Sequence, residues 1–404
     1  MDLYVQLGHG MQSLSIDLIK HWKGDGTFIL SPRNQKLSQL KNFSKDIKKS
    51  NGKVILDPQF YFPRTSLKSL QQHKYWPSNY DTGAFFSKSG VNTLIDTLVD
   101  QYHEPLGCSM FIIPTLVINA YDPLWFSQVQ LTLESLSRKN IKEDKILTLC
   151  LGDSLLLNEG DLHLLIDELE TLDVDGFYII ASHPKNQYFV SDPNWLSNLL
   201  DLSASLKMLN KKVIWGYCNS QSIIAAISKV DAICTGNFKN TRSFSTEIFD
   251  DEERENNSRK GPNWYYCPQA LSEYQLPYLT AAYQNSLLSL LESRPTFSSG
   301  YETKLFIPAT PPDAINFTPA DSFKHYIYAL KKQCESYSYD TYQDVRNDLN
   351  LTLSAALEIT TTLSNSGIRG KDRDFSSVAE DTMAALDIFH NNRGLSYESL
   401  WKMI

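Results

Sequence analysis

Short apolar runs recur along the chain and alternate with longer stretches whose apolar residues fall three and four positions apart. The runs Leu3–Leu7, Thr27–Ser31, Val54–Asp57, Met110–Pro114, Ile146–Leu151, Gly176–Ala181, Val213–Tyr217 and Ala232–Thr235 read as buried strands. Between them, Val91–Tyr102, Pro123–Ser137, Asp161–Leu172, Pro193–Leu209 and Ser220–Lys229 read as amphipathic helices. Strands alternating with helices predict an α/β protein with a parallel sheet. Eight strands predict a closed (β/α)8 barrel of the TIM type, with an open doubly wound sheet as the alternative. Polar and unusual residues gather just after the strands, at Asp57-Pro58, Pro114-Thr115, Gly152-Asp153, Ser182-His183, Gly216-Tyr217 and Thr235-Gly236. In a barrel these positions share one mouth, where active sites are built, although each alone is also an ordinary loop start.

Beyond the last strand the pattern changes. Asp250–Lys260 is dense in both charges and reads as a solvated insertion. Leu271–Leu291 reads as a helix, Phe306–Pro319 as a Pro-rich linker, and Ala320–Ile404 as mostly helical, with Phe323–Cys334 and Tyr342–Thr361 the clearest stretches. The predicted organisation is a barrel over residues 1–300 with a charged insertion near 250–260, then a linker and helical extension over 301–404.

Composition changes this picture little. A chain of 404 residues, 42% hydrophobic and 21% charged, has the makeup of an ordinary globular protein. No apolar run reaches membrane-spanning length, and the first ten residues lack the pattern of a signal peptide, so no membrane partner is expected. The six cysteines are scattered without a C-x-x-C pair, which predicts reduced, buried thiols in the cytoplasm. A formal charge of −8 is not the footprint of a nucleic-acid binder, yet only the surface facing the phosphates must be positive.

Two segments carry candidate chemistry. In Tyr80-Asp81-Thr82-Gly83-Ala84-Phe85-Phe86, a carboxylate sits in a small-residue turn beside aromatic rings. Alone this is common turn chemistry. The segment Lys211–Phe244 holds a strand, a polar turn, a helix and a second strand opened by Val230-Asp231. A carboxylate at the edge of an apolar run needs a partner or a function.

Together these segments resemble the tRNA-guanine transglycosylases and their DNA-modifying relatives. The family motif Asp-Ser-Gly-Gly-Phe/Tyr-Gln is matched by Asp81–Phe86. Its second motif, a Tyr-Leu-Met-Gly-Val-Gly strand leading through a helix to Asp-Cys-Val-Leu-Pro-Thr-Arg, is matched by Val213–Cys218, Ser220–Ile227 and Asp231–Thr235. Asp-Gly-Tyr-Ala-Ile-Gly-Gly is echoed by Asp175–Ala181. The resemblance covers Tyr80 to Phe244 and rests on three motifs in order, none specific by itself. It implies Asp231 as nucleophile on the sugar C1′, expelling guanine and leaving a covalent enzyme–nucleic-acid intermediate, and Asp81 as the proton-handling carboxylate. It implies Phe85 and Trp215 as flat walls around an extruded base, with Ala181 and Ser182 lining the same pocket and His183 at its rim. Asp122 falls where the family reads the guanine edge, and serves equally as a helix N-cap.

The sequence also departs from the family. The region that holds a structural zinc in the tRNA enzymes reads Trp264–Gln269 here, with Cys267 alone and no histidine before His325. Tetrahedral zinc needs four ligands, so no metal is expected and aromatic packing should replace it. The base-reading Gly-Ile-Val-Gln-Gly-Gly strand is replaced by Leu149–Ser154. These departures bring the chain nearer to the branch that inserts 7-deazaguanines, such as 7-cyano-7-deazaguanine, into DNA. The implied partners are DNA in preference to tRNA, a free 7-deazaguanine base and an accessory ATPase to open the duplex, with no cofactor. Lys239, Arg242, Arg64 and the Lys45–Lys53 cluster are the candidate phosphate contacts. The competing readings are a tRNA enzyme without its zinc, an inactive nucleic-acid-binding scaffold, and an unrelated barrel glycosidase or aldolase.

Overall fold

The computed structural model describes residues 1–8, 10–65, 67–77, 87–249 and 262–404, the side chain of Ile248 apart. Eight parallel strands close into a barrel in chain order: β1 (Asp2–Gln6), β2 (Thr27–Leu30), β3 (Lys53–Leu56), β4 (Met110–Ile113), β5 (Asp144–Leu151), β6 (Gly176–Ala181), β7 (Lys212–Trp215) and β8 (Ala232–Thr235). β1 pairs with both β2 and β8, so the sheet has no free edge. The strands are buried almost throughout, as expected when side chains fill the lumen on one face and helices cover the other.

Helices between the strands form the outer layer: α1 (Gln12–His21), α2 (Leu37–Lys49), α3 (Lys88–Leu98), α4 (Pro123–Ser137), α5 (Glu159–Glu170) and α6 (Pro193–Met208). Their starts are written in the sequence. Asp122 and Asp192 cap α4 and α6, each followed by proline at the first helical position, and Asn158 caps α5. Ser220–Ser228, expected as a helix, adopts 3₁₀ geometry between β7 and β8.

A second unit follows. The segment Leu271–Leu291 is not one helix. It divides into the second strand of an antiparallel hairpin, β9 (Trp264–Cys267) with β10 (Ser272–Gln275), and then α7 (Leu276–Gln284). Leu271 takes a left-handed conformation (φ 50°) that turns the hairpin, and Pro277 fits only the first turn of α7. α8 (Pro319–Ser336), α9 (Tyr342–Asn365) and α10 (Ala379–Leu400) complete the chain. Tyr265, Cys267, Tyr274, Leu291, Leu305, Phe317, Leu363 and Ile368 share a second apolar core. That core runs across the boundary expected at residue 300. α10 lies against α6, held by the Arg393–Asp201 ion pair and by Tyr397 Oη donating to Ser228 O at 2.8 Å.

Around Cys267 the expected aromatic packing is present. Tyr265 stacks on His325 with centroids 5.1 Å apart, and Tyr266 Oη donates to Gln333 Oε1 at 2.6 Å. A buried pair, His325 Nδ1 to Glu302 at 3.1 Å, is added to it. Among the described residues no cluster of three or more histidine, cysteine or acidic side chains is placed to hold a metal ion. All six cysteines are free and buried. None of the described helices is long and apolar enough to cross a membrane.

Candidate active site at the barrel mouth

Asp57 follows β3 directly, so its side chain stands at the carboxyl end of the barrel. It is 1% exposed. Its Oδ1 accepts from Gln59 N at 2.9 Å, and its Oδ2 accepts from Tyr61 Oη at 2.5 Å and, more distantly, from Tyr178 Oη at 3.5 Å. Burial disfavours the charged form and pushes the acid up to about 6, although all three donors pull the other way. A carboxyl balanced between its two protonation states near neutral pH is suited to proton transfer.

The groups around it are fixed by neighbouring strand ends. Gln59 takes a left-handed turn (φ 53°) after β3 and ties three of them together. Its Oε1 accepts from Ser31 Oγ and Arg33 N, both at 3.0 Å, and its Nε2 donates to Tyr217 Oη at 3.1 Å. Tyr217, also left-handed (φ 58°), donates its backbone N–H to Gln6 Oε1 at 3.0 Å. Gly216 lets Tyr178 reach inward, because a Cβ there would lie 2.7 Å from the Tyr178 hydroxyl. Burial raises the Tyr61, Tyr178 and Tyr217 phenols, so all three remain protonated donors.

The segment after β8 covers this cluster. Phe244 and Phe249 meet the Tyr61 ring edge-on at 5.6 and 5.5 Å, and Phe244 meets Tyr217 at 5.0 Å. Phe244 O accepts from His183 N at 3.0 Å, and Phe249 O accepts from Thr65 Oγ1. Arg33 carries its guanidinium 5.6 Å from the Phe249 ring.

Those of the expected site residues that are described are dispersed. Asp231 precedes β8 rather than following it, at the foot of the barrel. Across a four-residue strand that is about 13 Å from the mouth at about 3.3 Å per residue. Its carboxylate accepts from Lys207 Nζ at 2.9 and 3.0 Å and from Val213 N at 2.7 Å. The nucleophile role is therefore corrected: Asp231 closes the base of the barrel. Trp215 stands at the end of β7, but its Nε1 donates to Ser203 Oγ on α6 at 2.8 Å, so the ring faces the helical layer and not the lumen. With Ala181 and His183 it lines a narrow cleft between β6, β7 and α6. In that cleft burial draws His183 down to about 4. Ser182 does reach the mouth, pairing with Phe244 in an isolated bridge.

Asp122 is exposed and its Oδ1 accepts from Leu124 N at 2.9 Å, so capping accounts for it. Arg242 is 1% exposed. It donates to both Glu273 oxygens at 2.8 Å and lies 3.4 Å over the Tyr326 ring, which removes it from the phosphate contacts. Lys239 pairs with Asp372 at 3.0 Å, and Arg64 is exposed. Asp81 and Phe85 lie outside the described residues. Asp57 and Tyr217 were expected only as polar strand-end residues, and their assembly with Tyr61 and Tyr178 into one group was missed from sequence. The available signal was an acid placed directly after an apolar strand rather than before one.

No family model matches the chain, and no curated protein matches it. Among solved structures it is similar to the carboxyl transferase domain of Rhizobium etli pyruvate carboxylase, determined with 3-bromopyruvate. That match has 10% identity and a TM-score of 0.36, over 97% of this chain and 60% of the other. A variant of the same carboxylase crystallized without acetyl coenzyme-A matches at 11% and 0.34, over 98% of this chain and 36% of the other. The enoyl reductase domain of MlnA from the macrolactin cluster of Bacillus amyloliquefaciens matches at 10% and 0.30, over 98% and 95%. The chain thus spans under two thirds of both carboxylase chains, and these matches carry nothing about chemistry.

Proposed function

We propose that the barrel mouth is an active site in which Asp57 handles protons, and that its reaction is base exchange on a nucleic acid. The acid–base half rests on one observation, the buried Asp57 carboxyl held by Tyr61, Tyr178 and the Gln59 amide with its proton affinity raised to about 6. The substrate half rests on the sequence resemblance: guanine leaves its sugar and a 7-deazaguanine such as 7-cyano-7-deazaguanine takes its place, in DNA before tRNA. In that reaction the leaving guanine gains a proton as its bond to C1′ breaks, and the incoming base loses one as its own bond forms. One carboxyl that cycles between its two forms serves both steps. Retention at C1′ needs a second carboxylate as nucleophile. For that role the sequence offers Asp81, in the connection between β3 and α3.

The test is release of labelled guanine from DNA and from tRNA in the presence of 7-cyano-7-deazaguanine. Asp57→Asn should lower release by about 100-fold or more, the span typical of a lost acid–base group. Asp231→Asn should release at nearly the parental rate. Loss in Asp231→Asn with activity kept in Asp57→Asn would return the chemistry to the foot and sink the mouth reading.

The closure of the mouth by Phe244 and Phe249 favours one second reading, a barrel that binds nucleic acid without turning it over. It predicts binding with no release from either substrate.

A further inference from the structure

We propose that the α1–α2 face of the barrel is a docking surface for the sugar-phosphate backbone of duplex DNA. The turn after α1 and the turn after α2 lie together: a Cβ at Gly24 would touch Asn51 at 3.2 Å, and Lys53 N donates to Gly26 O at 2.9 Å. The turn that follows Lys20 and Lys23 thereby lies against the turn between Lys49 and Lys53. Along α2, Lys41, Lys45 and Lys49 follow one another at four-residue spacing, about 6 Å apart along the axis. Leu40, Phe43, Ser44 and Ile47 occupy the opposite, buried face.

Five of these six lysines are exposed and Lys41 is half-buried. Among the described residues none of the six is engaged in an ion pair, while two nearby acids are neutralised from α8, Asp17 by Lys324 at 2.6 Å and Asp25 by Lys331 at 3.6 Å. Asp46 is the one carboxylate within α2. In a chain of formal charge −8, this concentration makes one face attractive to a polyanion and leaves the remainder repulsive, which orients the encounter.

Lysines are point charges that contact phosphates without reading bases, so the binding is expected to be independent of sequence and steep in salt. Among the described residues the same face shows no large exposed apolar side chain. The exposed ones lie elsewhere, at Leu124, Leu157, Leu164 and Phe238 among others. A membrane surface would be held more firmly with such an anchor, and its absence favours nucleic acid. The inference rests on the nucleic-acid half of the proposed function and not on Asp57.

The experiment is fluorescence anisotropy of a labelled 30-base-pair duplex against salt concentration, using the full chain. Compared are wild type, the triple variant Lys41→Gln/Lys45→Gln/Lys49→Gln, and a charge-matched control, Lys88→Gln/Lys142→Gln/Lys402→Gln. The α2 triple should bind at least about 10-fold more weakly, and its salt slope should be shallower by up to about 2.7, at about 0.9 per lost phosphate contact. The control should follow wild type. Equal loss in both triples, unchanged binding in the α2 triple, or no binding by wild type would each overturn the inference. Binding to phosphatidylserine vesicles that the α2 triple alone loses, with DNA binding intact, would overturn it in favour of a membrane. Asp57→Asn, measured alongside, should bind DNA as wild type does. Binding without guanine release would then remove the proposed reaction and leave this surface standing.

Discussion

The two ends of this barrel each hold an aspartate at a strand terminus, and they have opposite characters. At the foot, Asp231 is 34% exposed and saturated by Lys207 Nζ and Val213 N. At the mouth, Asp57 is enclosed, bonded among the described residues to neutral donors alone, and pushed up to about 6 by burial. A charge that meets its counter-charge stabilises a structure or leaves it unchanged; a charge enclosed without one is a cost that function can use. The strand's direction decides which is which. An acid before a barrel strand lands where the fold is sealed, and an acid after it lands where loops converge.

Substitutions at the two ends should behave as differently as the two acids do. On the proposed base exchange, Asp57→Asn should cost about 100-fold or more in guanine release, while the same substitution at Asp231 should leave the rate nearly unchanged. Next comes the anchor of the segment that covers the mouth. Glu273 accepts from Arg242, Arg373 and Tyr188 while buried. Glu273→Ala should cost about 3–5 kcal/mol in urea unfolding, since it strands the buried Arg242 guanidinium.

The pH dependence of stability offers a finer test. The folded protein holds the Asp57 proton more tightly than the unfolded chain, whose carboxyl titrates near 3.8. The stability linked to that proton is therefore complete below about pH 4 and is lost as pH rises through about 6. Relative to wild type, Asp57→Asn should gain on the order of 2–3 kcal/mol between pH 4 and pH 8, at about 1.4 kcal/mol per unit. Melting temperatures of both proteins across that range would show the gap opening; a constant gap would mean that Asp57 is not held as described. Smallest of all, Asp231→Asn should lower stability by about 1 kcal/mol or less, since its ion pair is partly solvated.

The barrel was legible in the sequence because its strands are apolar on both faces, and such runs stand out against amphipathic helices. All eight strands fall where the pattern places them, each end within a residue or two. The hairpin β9–β10 was missed because its turn depends on Leu271 adopting a left-handed conformation, which nothing about leucine announces. The site was half legible. Asp57-Pro58 and Gly216-Tyr217 stood out as strand-end pairs, but their meeting depends on lumen side chains from β3, β6 and β7, three strands far apart in sequence. Trp215 shows the limit from the other side. Its position at the end of β7 was correct, yet alternation along the strand turns it outward to Ser203.

Gly216 has a consequence for how this site could change over time. Any side chain there would meet the Tyr178 hydroxyl and push the ring away from Asp57. The acid would lose its most distant donor, which holds its proton affinity down, and would titrate higher still. A single methyl group at a position that never touches the acid would therefore shift the pH at which it titrates. Position 216 is in that sense a tuning peg, set outside the instrument's sounding parts.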